Sequence, residues 1–244
     1  MAAPRVFTAQ HLEEGVAVEL EAGPSRHLAG ALRLRTGDSI TLFNGGGGEF
    51  PATITALSRK SVTATPAQRV LRERESPLDI HLGIAVSRGD RFDWVVQKST
   101  ELGVARITPL LSERTEVKLK GERAEKKLHH WRQVAISACE QCGRNLLPDL
   151  RPTIPLTDWT QQVQAECKLV LHHRAGPGEQ FATQPASLAL LVGPEGGLSP
   201  SEIELAEGQG FGALSLGPRV LRTETAPLAA IAILQARWGD MNLE

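Results

Sequence analysis

The sequence contains no tyrosine, and aromatic residues make up only 4% of its 244 positions. Proteins that read single-stranded RNA on an RRM-like sheet stack the bases on exposed aromatic side chains, so this composition argues against such a platform. Three cysteines are too few, and odd in number, for a disulfide framework. That usage is typical of a reducing compartment, and we expect a cytoplasmic protein.

Long apolar runs are also missing. No stretch approaches the roughly 20 residues that a membrane-spanning helix needs. The first fifteen residues lack a basic segment followed by an apolar core, so no secretory signal is expected. With 41% hydrophobic and 23% charged residues, the composition is typical of a globular protein without a membrane partner.

An excess of charge of one sign is absent as well, because the net charge is −1. The distribution is uneven: residues 1–130 carry 19 basic and 16 acidic side chains, whereas residues 151–244 carry 6 and 10. Phosphate contacts require local positive charge, so any RNA-binding face should lie mainly in the first half. The alternative is a solvated surface with unevenly distributed charge.

Two patterns divide the chain. Residues 1–75 are rich in short Val-, Ile- and Thr-containing segments, which predict a small β-barrel with one helix at 25–35 and a hairpin loop at the GGGG run, 45–48. From residue 78 onward, strands and helices alternate, which predicts a mostly parallel sheet covered on both faces. The predicted strands are 78–87, 105–112, 167–173, 187–193 and 213–217, and the predicted helices are 90–102, 121–143, 200–210 and 223–239.

The segment LVGPEGGLS (191–199) joins a buried strand to a helix through a loop of bare backbone. Its glycines permit positive φ and close approach of a ligand. Ser199, Pro200 and Glu202 form the pattern of a capping box that begins the next helix. Since ligands of parallel sheets bind at the carboxyl ends of the strands, this loop is a candidate binding site. The alternative is a tight turn that binds nothing.

A second loop, PRVLRTETAP (218–227), has the same arrangement of strand end, loop and helix. Thr223 or Thr225 is a candidate N-cap, and Pro227 falls in the first turn of the helix. A third strand, 168–174, ends nearby. Three such loops together provide main-chain hydrogen bonds that suit a flat heterocycle.

LLVGPEGGLSPSE and LSLGPRVLRTETAPLAA resemble the C-terminal signature of the RsmE family, the 16S ribosomal RNA uridine N3-methyltransferases of the knotted SPOUT superfamily. QKSTELGVARITPLLSERT (97–115), CEQCGR (139–144) and HLAGALRLRTGD (27–38) extend the resemblance over nearly the whole chain. Two positions depart from the expected pattern: Cys142 replaces a more usual serine and Ala31 a more usual valine.

The resemblance implies an α/β fold: a small PUA-like RNA-binding barrel at residues 1–72, followed by a SPOUT domain at 73–244 with a mostly parallel sheet. A C-terminal trefoil knot is expected in about 168–244. It also implies S-adenosylmethionine as the methyl donor, a homodimer, and 16S rRNA within the 30S subunit as the partner. No metal is expected.

The same resemblance assigns roles to individual residues. It places the catalytic groups at Arg222, Thr223 and Glu224, beside the donor methyl. The cofactor-binding residues are expected to be Leu171, His172, Val192, Gly193, Pro194, Glu195, Gly196, Gly197, Leu216, Gly217, Val220 and Leu221. RNA contacts are expected from Arg5, Arg26, Arg33, Arg35, Lys98, Arg114, Glu140, Gln141 and Arg144.

Several alternatives remain at this point. The proton acceptor is Glu224 or Glu195, and Glu224 can instead be the first residue of the last helix, where a carboxylate favours the dipole. Glu140 and Arg144 have the spacing of an i,i+4 ion pair. Cys139 and Cys142 are expected to be ordinary thiols because zinc needs about four ligands. A non-catalytic RNA-binding assembly factor and a knotted tRNA methyltransferase are the alternative functions.

Overall fold

The computed structural model describes residues 3–58, 61–72, 74–172 and 184–241. The chain forms two compact units. The first unit comprises Met1–Glu75 together with Ile136–Leu147, and the second comprises Ser76–Ala135 together with Pro148–Glu244. A hydrophobic cluster within residues 6–64 forms the core of the first unit, and two clusters between Leu78 and Trp238 form the core of the second.

The first unit contains a five-stranded sheet in the order β1-β3-β4-β5-β2. The β-rich character of this region is therefore confirmed, although β1 was not predicted. All neighbours are antiparallel except β1 and β3, which run parallel. The strands are β1 Arg5–Phe7, β2 Val18–Glu19, β3 Ser39–Phe43, β4 Phe50–Leu57 and β5 Val62–Pro66.

The GGGG run connects β3 to β4, as predicted, and Gly45, Gly47 and Gly48 have φ values of 81°, 74° and 70°. The predicted helix at 25–35 is wrong in detail. Helix α1 covers Ala22–Arg26, and a single π-helical turn, His27–Ala31, follows it. The Leu32 N–H donates to the His27 carbonyl, and Arg33 then takes a φ of 54°, which ends the helical path.

The second unit is built on a sheet whose strand order is β12-β10-β11-β6-β7-β8, with β9 pairing to β7. Every pair is parallel, which confirms the mostly parallel sheet. The strands are β6 Asp79–Ala85, β7 Arg106–Leu111, β8 Asp149–Leu150, β9 Ile154–Pro155, β10 Cys167–Leu171, β11 Ser187–Val192 and β12 Gly212–Leu214. Leu188–Val192 of β11 are all buried, as expected of a central parallel strand.

From residue 76 onward, the described part of the chain contains five helices: α2 Arg91–Glu101, α3 Glu122–Cys142, α4 Leu156–Gln162, α5 Pro200–Gly208 and α6 Ala226–Trp238. Helix α2, predicted at 90–102, buries the apolar side chains Phe92, Val95 and Val96. It ends before Gly103, whose φ of 80° is the left-handed conformation that favours glycine. Helix α4 is only seven residues long and was not predicted.

The two predicted helix starts differ in outcome. The capping box of α5 is confirmed, because Ser199 Oγ accepts from the Glu202 N–H and the Glu202 carboxylate accepts from the Ser199 N–H. At α6, Thr225, one of the two candidates, is the N-cap residue, but it has a helical conformation and makes no side-chain cap hydrogen bond. The Arg222 carbonyl accepts from the N–H groups of Thr225 and Ala226 instead.

The chain between β10 and β11 includes residues 173–183, which lie outside the described residues. The predicted end of β10 at His173 falls there. The trefoil knot therefore remains a prediction.

Candidate functional site

Three parallel strands end at one edge of the sheet, and a cavity opens beside those ends. Strand β10 lies between β11 and β12, with Val170 opposite Leu191 and Leu171 opposite Leu214. The loops that follow these strands therefore leave the sheet side by side. They enclose a cavity of ≈ 600 Å³, within the range of small-molecule sites, which is about 300–1,000 Å³.

All twelve residues predicted to bind a cofactor line this cavity. They come from the end of β10, from the glycine loop after β11 and from the loop after β12. The structure therefore brings Gly193 and Leu216 to the same site. The set is Leu171, His172, Val192, Gly193, Pro194, Glu195, Gly196, Gly197, Leu216, Gly217, Val220 and Leu221.

Glycine is required at different positions of these loops for different structural reasons. A Cβ at Gly193 would lie 2.9 Å from Leu198 Cγ, so only glycine lets the loop fold back on Leu198. Gly197 and Gly217 have φ values of 69° and 91°, which other residues adopt only with strain. A Cβ at either of them would have no protein atom of the described residues within 4 Å.

Hydrogen bonds from Arg114, Arg91 and Arg88 hold the glycine loop in place. Arg114 Nη1 donates to the Gly196 carbonyl at 2.7 Å and to the Leu198 carbonyl at 3.4 Å. Glu195 Oε1 accepts from Arg91 Nη1 at 3.0 Å and from the Arg88 N–H at 3.3 Å. Because these bonds fix both sides of the loop, its conformation does not depend on glycine-rich backbone alone.

The loop after β12, unlike the glycine loop, is not held by hydrogen bonds to its peptide groups within the described residues. Within the described residues, Leu216–Leu221 make no hydrogen bond through their peptide groups, although five of these six residues line the cavity. Peptide groups without an intramolecular partner are available to water or to a ligand. This loop therefore offers main-chain donors and acceptors at the wall of the cavity.

The three predicted catalytic residues follow directly on that loop. Thr223 lines the cavity and is 9% exposed. Arg222 is exposed and Glu224 is half-buried, and both lie outside the cavity lining. The suggestion that Glu224 is the first residue of the last helix is wrong, because α6 begins two residues later at Ala226.

The cavity also includes residues to which sequence reasoning gave no role in cofactor binding. Arg114, which was predicted to contact RNA, is one of them. The start of α5 provides several others. The capping-box pattern in the sequence predicted that this helix begins directly after the glycine loop. The remaining lining residues are Leu198, Pro200, Ile203, Glu204, Leu214, Arg219 and Ala226.

Several residues predicted to contact RNA form a polar network in the first unit. Arg5 donates to Glu49, to the Arg144 carbonyl and to Asn145 Oδ1, the last at 2.7 Å. Glu140 Oε1 accepts from the Phe7 N–H at 3.0 Å, and burial raises the pKa of the Glu140 carboxyl.

The predicted ion pair between Glu140 and Arg144 is wrong. Arg144, which is 4% exposed, lies beyond the end of α3 and pairs with Glu75 at 2.5 Å. The helical spacing does not apply to a residue outside the helix.

The other predicted RNA contacts are more accessible. Arg26, Arg33, Arg35 and Gln141 are exposed on the first unit. Arg26 Nε donates to the Ala22 carbonyl at 3.2 Å. In the second unit, Lys98 Nζ pairs with Glu101 at 2.7 Å and lies 5.0 Å from the centre of the Trp94 ring.

The thiols are not arranged as a metal site. Burial raises the pKa of the Cys139 thiol to about 12, and its Sγ lies 3.6 Å from the Leu146 carbonyl. Among the residues that the structure describes, no group of three His, Cys, Asp or Glu side chains is placed to hold a metal ion. No described helix has both the length and the apolar character to cross a membrane.

Comparison with known proteins identifies the class. Residues 74–235 match the family described as the RNA methyltransferase domain, and residues 25–67 match the RNA methyltransferase PUA domain. The two units are thus those of an RNA methyltransferase, with a PUA-like unit before the α/β unit.

Proteins that are similar to this chain over nearly its full length identify the family within this class. The small-subunit rRNA methyltransferase E of Buchnera aphidicola (Schizaphis graminum) is 34% identical, with 98% of both chains covered. That of Neisseria gonorrhoeae, solved with S-adenosylmethionine, is 41% identical, has a TM-score of 0.94 and covers 99% of this chain and 100% of that one. A Legionella pneumophila methyltransferase solved with the same cofactor is 44% identical, has a TM-score of 0.96 and covers 99% and 100%. The chain belongs to the ribosomal RNA small subunit methyltransferase E family.

Proposed function

We propose that the protein binds S-adenosylmethionine in the cavity at the ends of β10, β11 and β12 and methylates N3 of a uridine in 16S rRNA, within the 30S subunit and in the cytoplasm. One observation carries this proposal. The twelve residues that the family resemblance assigns to the cofactor line a single cavity in a chain at least 41% identical to two relatives solved with that cofactor.

The cavity suits the cofactor in size and in chemistry. Its apolar side chains, Leu171, Leu214 and Leu216, fit a flat heterocycle, and the adjacent peptide groups of Leu216–Leu221 provide hydrogen bonds for it. When bound, the cofactor supplies an electrophilic methyl group on a sulfonium. The protein's share in an in-line displacement is chiefly alignment, which supplies about 7–11 kcal/mol in well-oriented cases.

The acceptor nitrogen must also lose its proton. We propose Glu224 as the acceptor of this proton. Glu224 is half-buried and directly follows Thr223, which lines the cavity. Glu195 is the weaker candidate because Arg91 and the Arg88 N–H already bind its Oε1. Exposed Arg222 is suited to stabilise the negative charge that develops on the uracil oxygens.

A paired experiment tests this function. Calorimetry with S-adenosylmethionine and with S-adenosylhomocysteine should show binding of both. Incubation with labelled donor should place the methyl at N3 of a uridine in 30S subunits from cells that lack this modification, and not in tRNA. Methylation of tRNA instead of 30S subunits would show that tRNA is the substrate. Binding of RNA without methyl transfer would favour an assembly factor.

We also propose a homodimer, in which the knotted region of each chain completes the other's site. Exposed apolar side chains on the second unit support a protein interface: Trp94 on α2 is 51% exposed, Ile233 on α6 is 54% exposed, and α2 packs against α6. Light scattering should give twice the chain mass of 26.3 kDa, and Ile233→Glu should shift it toward the monomer. A monomer for the unchanged protein at micromolar concentration would contradict the dimer.

A further inference from the structure

A second cavity, of ≈ 440 Å³, opens in the second unit where β6 ends. Its walls come from the loop between β6 and α2, from residues 116–119 and from the first turns of α3. None of its lining residues belongs to the cofactor cavity. None of these lining residues is among the predicted catalytic, cofactor-binding or RNA-binding residues.

The two cavities are nevertheless neighbours. Strand β6 pairs with β11, with Ile84 opposite Val192, so both strands end at the same edge of the sheet. The Arg88 N–H, in the wall of the second cavity, donates to Glu195 Oε1, in the wall of the first, at 3.3 Å. A molecule in the second cavity is therefore separated from the cofactor site by little more than one loop.

The second cavity has cationic walls. Phe92 and Trp131 lie behind it, with their ring centres 4.3 Å apart, but each is only 1% exposed. Four cations, Arg88, Lys118, Arg123 and Lys127, face two carboxylates, Asp90 and Glu116. Glu116 pairs with Arg88 at 2.7 Å. Within the described residues, Lys118, Arg123 and Lys127 have no carboxylate partner.

Backbone donors add to these cations. Helix α2 begins at the cavity, and its N-cap, Asp90, makes no side-chain cap hydrogen bond. The first N–H groups of an uncapped helix point outward with a partial positive charge and favour anions. Cations without carboxylate partners, next to the first N–H groups of a helix, are the chemistry that binds the phosphate of a nucleotide.

We propose that this second cavity binds a nucleotide of the RNA substrate next to the uridine that is methylated, with its phosphate on Lys118, Arg123 and Lys127. This inference rests on the proposed function and adds a specificity site to it. The net charge of the whole chain, −1, hides this local excess of positive charge. Since the cavity adjoins the cofactor site, the bound nucleotide would hold the RNA strand while its neighbour enters that site.

Adjacent lysines on one helix give a matched test. Lys127 lines the cavity, whereas Lys126 is exposed, pairs with Glu122 at 3.2 Å and lies outside the cavity. The variants are Lys127→Gln, the double variant Arg123→Gln with Lys127→Gln, and the control Lys126→Gln. Each is assayed for 30S binding across a salt series, for KM toward 30S subunits and toward the cofactor, and for cofactor binding by calorimetry.

Loss of each phosphate contact should weaken 30S binding by about tenfold and reduce the salt slope by about 1. The KM for 30S subunits should rise while cofactor binding stays unchanged, and Lys126→Gln should match the unchanged protein. If the double variant behaves like Lys126→Gln while methyl transfer is intact, this inference is wrong and the proposed function stands. If the unchanged protein methylates no RNA, the proposed function and this inference both fail.

Discussion

Arg114 shows how one side chain outside the signature loops can control the candidate site. Its guanidinium donates to the carbonyls of Gly196 and Leu198, so it holds both ends of the turn that contains Gly197. The family resemblance predicted Arg114 only as an RNA contact. Its contact with the glycine loop depends on which loops the parallel strands bring together, which the linear order does not reveal.

We expect Arg114→Gln to weaken cofactor binding by about tenfold, because hydrogen bonds from charged donors contribute about 1.5–3 kcal/mol. Calorimetry measures this effect directly. Arg114→Lys should restore part of the affinity, since lysine keeps the charge but not the forked geometry. Unchanged affinity in Arg114→Gln would show that the loop keeps its conformation without this side chain.

At the proposed proton acceptor, Glu224→Gln should slow methyl transfer by about 10²–10⁴-fold, the usual contribution of a positioned base. Cofactor binding should remain intact because Glu224 lies outside the cavity lining. Glu195→Gln serves as the comparison: it removes a charge that pairs with Arg91, so it should affect cofactor affinity more than the rate at saturation. The reverse pattern would transfer the base role to Glu195.

The buried side chain of His81 makes the stability of the protein depend on pH. It is 2% exposed; its Nε2 accepts from Trp159 Nε1 at 3.3 Å and lies 2.8 Å from Thr108 Oγ1. Burial, and then the nearby Arg106, lowers its pKa from 6.5 to about 4. The unfolded chain therefore binds a proton between these pKa values while the folded protein does not, so stability falls as the pH decreases.

From this difference we expect His81 to remove about 3 kcal/mol from the free energy of unfolding between pH 7 and pH 4. Urea unfolding at several pH values measures the slope of the free energy of unfolding against pH. His81→Gln should flatten it, whereas His129→Gln, at an exposed position, should not. An identical slope in both variants would assign the pH dependence to other groups.

Among the secondary-structure elements, length and burial decide what the sequence predicts. The amphipathic pattern of α2, the capping box of α5 and the continuous apolar run of β11 are strong local signals, and each element occurs where predicted. Strands β1, β8 and β9, which were not predicted, have three residues or fewer and give little periodic signal; β12 is equally short and was predicted within the longer segment 213–217. They exist because a neighbouring strand supplies their partners, and that information is not local.

Helix α4 is the missed element with the clearest packing role. Its Trp159 rests on Gly83 of β6, where an added Cβ would lie 2.5 Å from the indole ring. We expect Gly83→Ala to destabilise the protein by about 1–3 kcal/mol, the usual cost of overpacking. Gly208→Ala is the matched control: it meets no atom within 4 Å and should be neutral or stabilising in α5. Chemical denaturation of both variants tests the difference.

For the whole molecule, composition and periodicity predicted a β-rich region followed by a parallel α/β region, and the resemblance supplied the family. The resemblance also supplied the twelve residues predicted to bind the cofactor, and they line one cavity because parallel strands end at one edge of the sheet. The grouping of Ile136–Leu147 with Met1–Glu75 is different. It depends on contacts across more than 60 residues of sequence, such as those of Glu140 with Phe7 and of Arg144 with Glu75.

This grouping predicts that residues 1–75 do not fold stably alone. The fragment keeps the apolar cluster within residues 6–64 but loses its hydrogen bonds to Glu140, Arg144 and Asn145. Together these contacts, some of them charged, contribute several kcal/mol, which is about the whole stability of a small domain.

We expect poor dispersion in the ¹H–¹⁵N spectrum of the 1–75 fragment and no cooperative thermal transition. An excess of a 136–147 peptide should restore structure, whereas the same peptide with Arg144→Ala and Asn145→Ala should not, because both its buried polar groups are then missing. A fragment that melts cooperatively without the peptide would show that the apolar cluster suffices and that the polar contacts with Ile136–Leu147 are secondary.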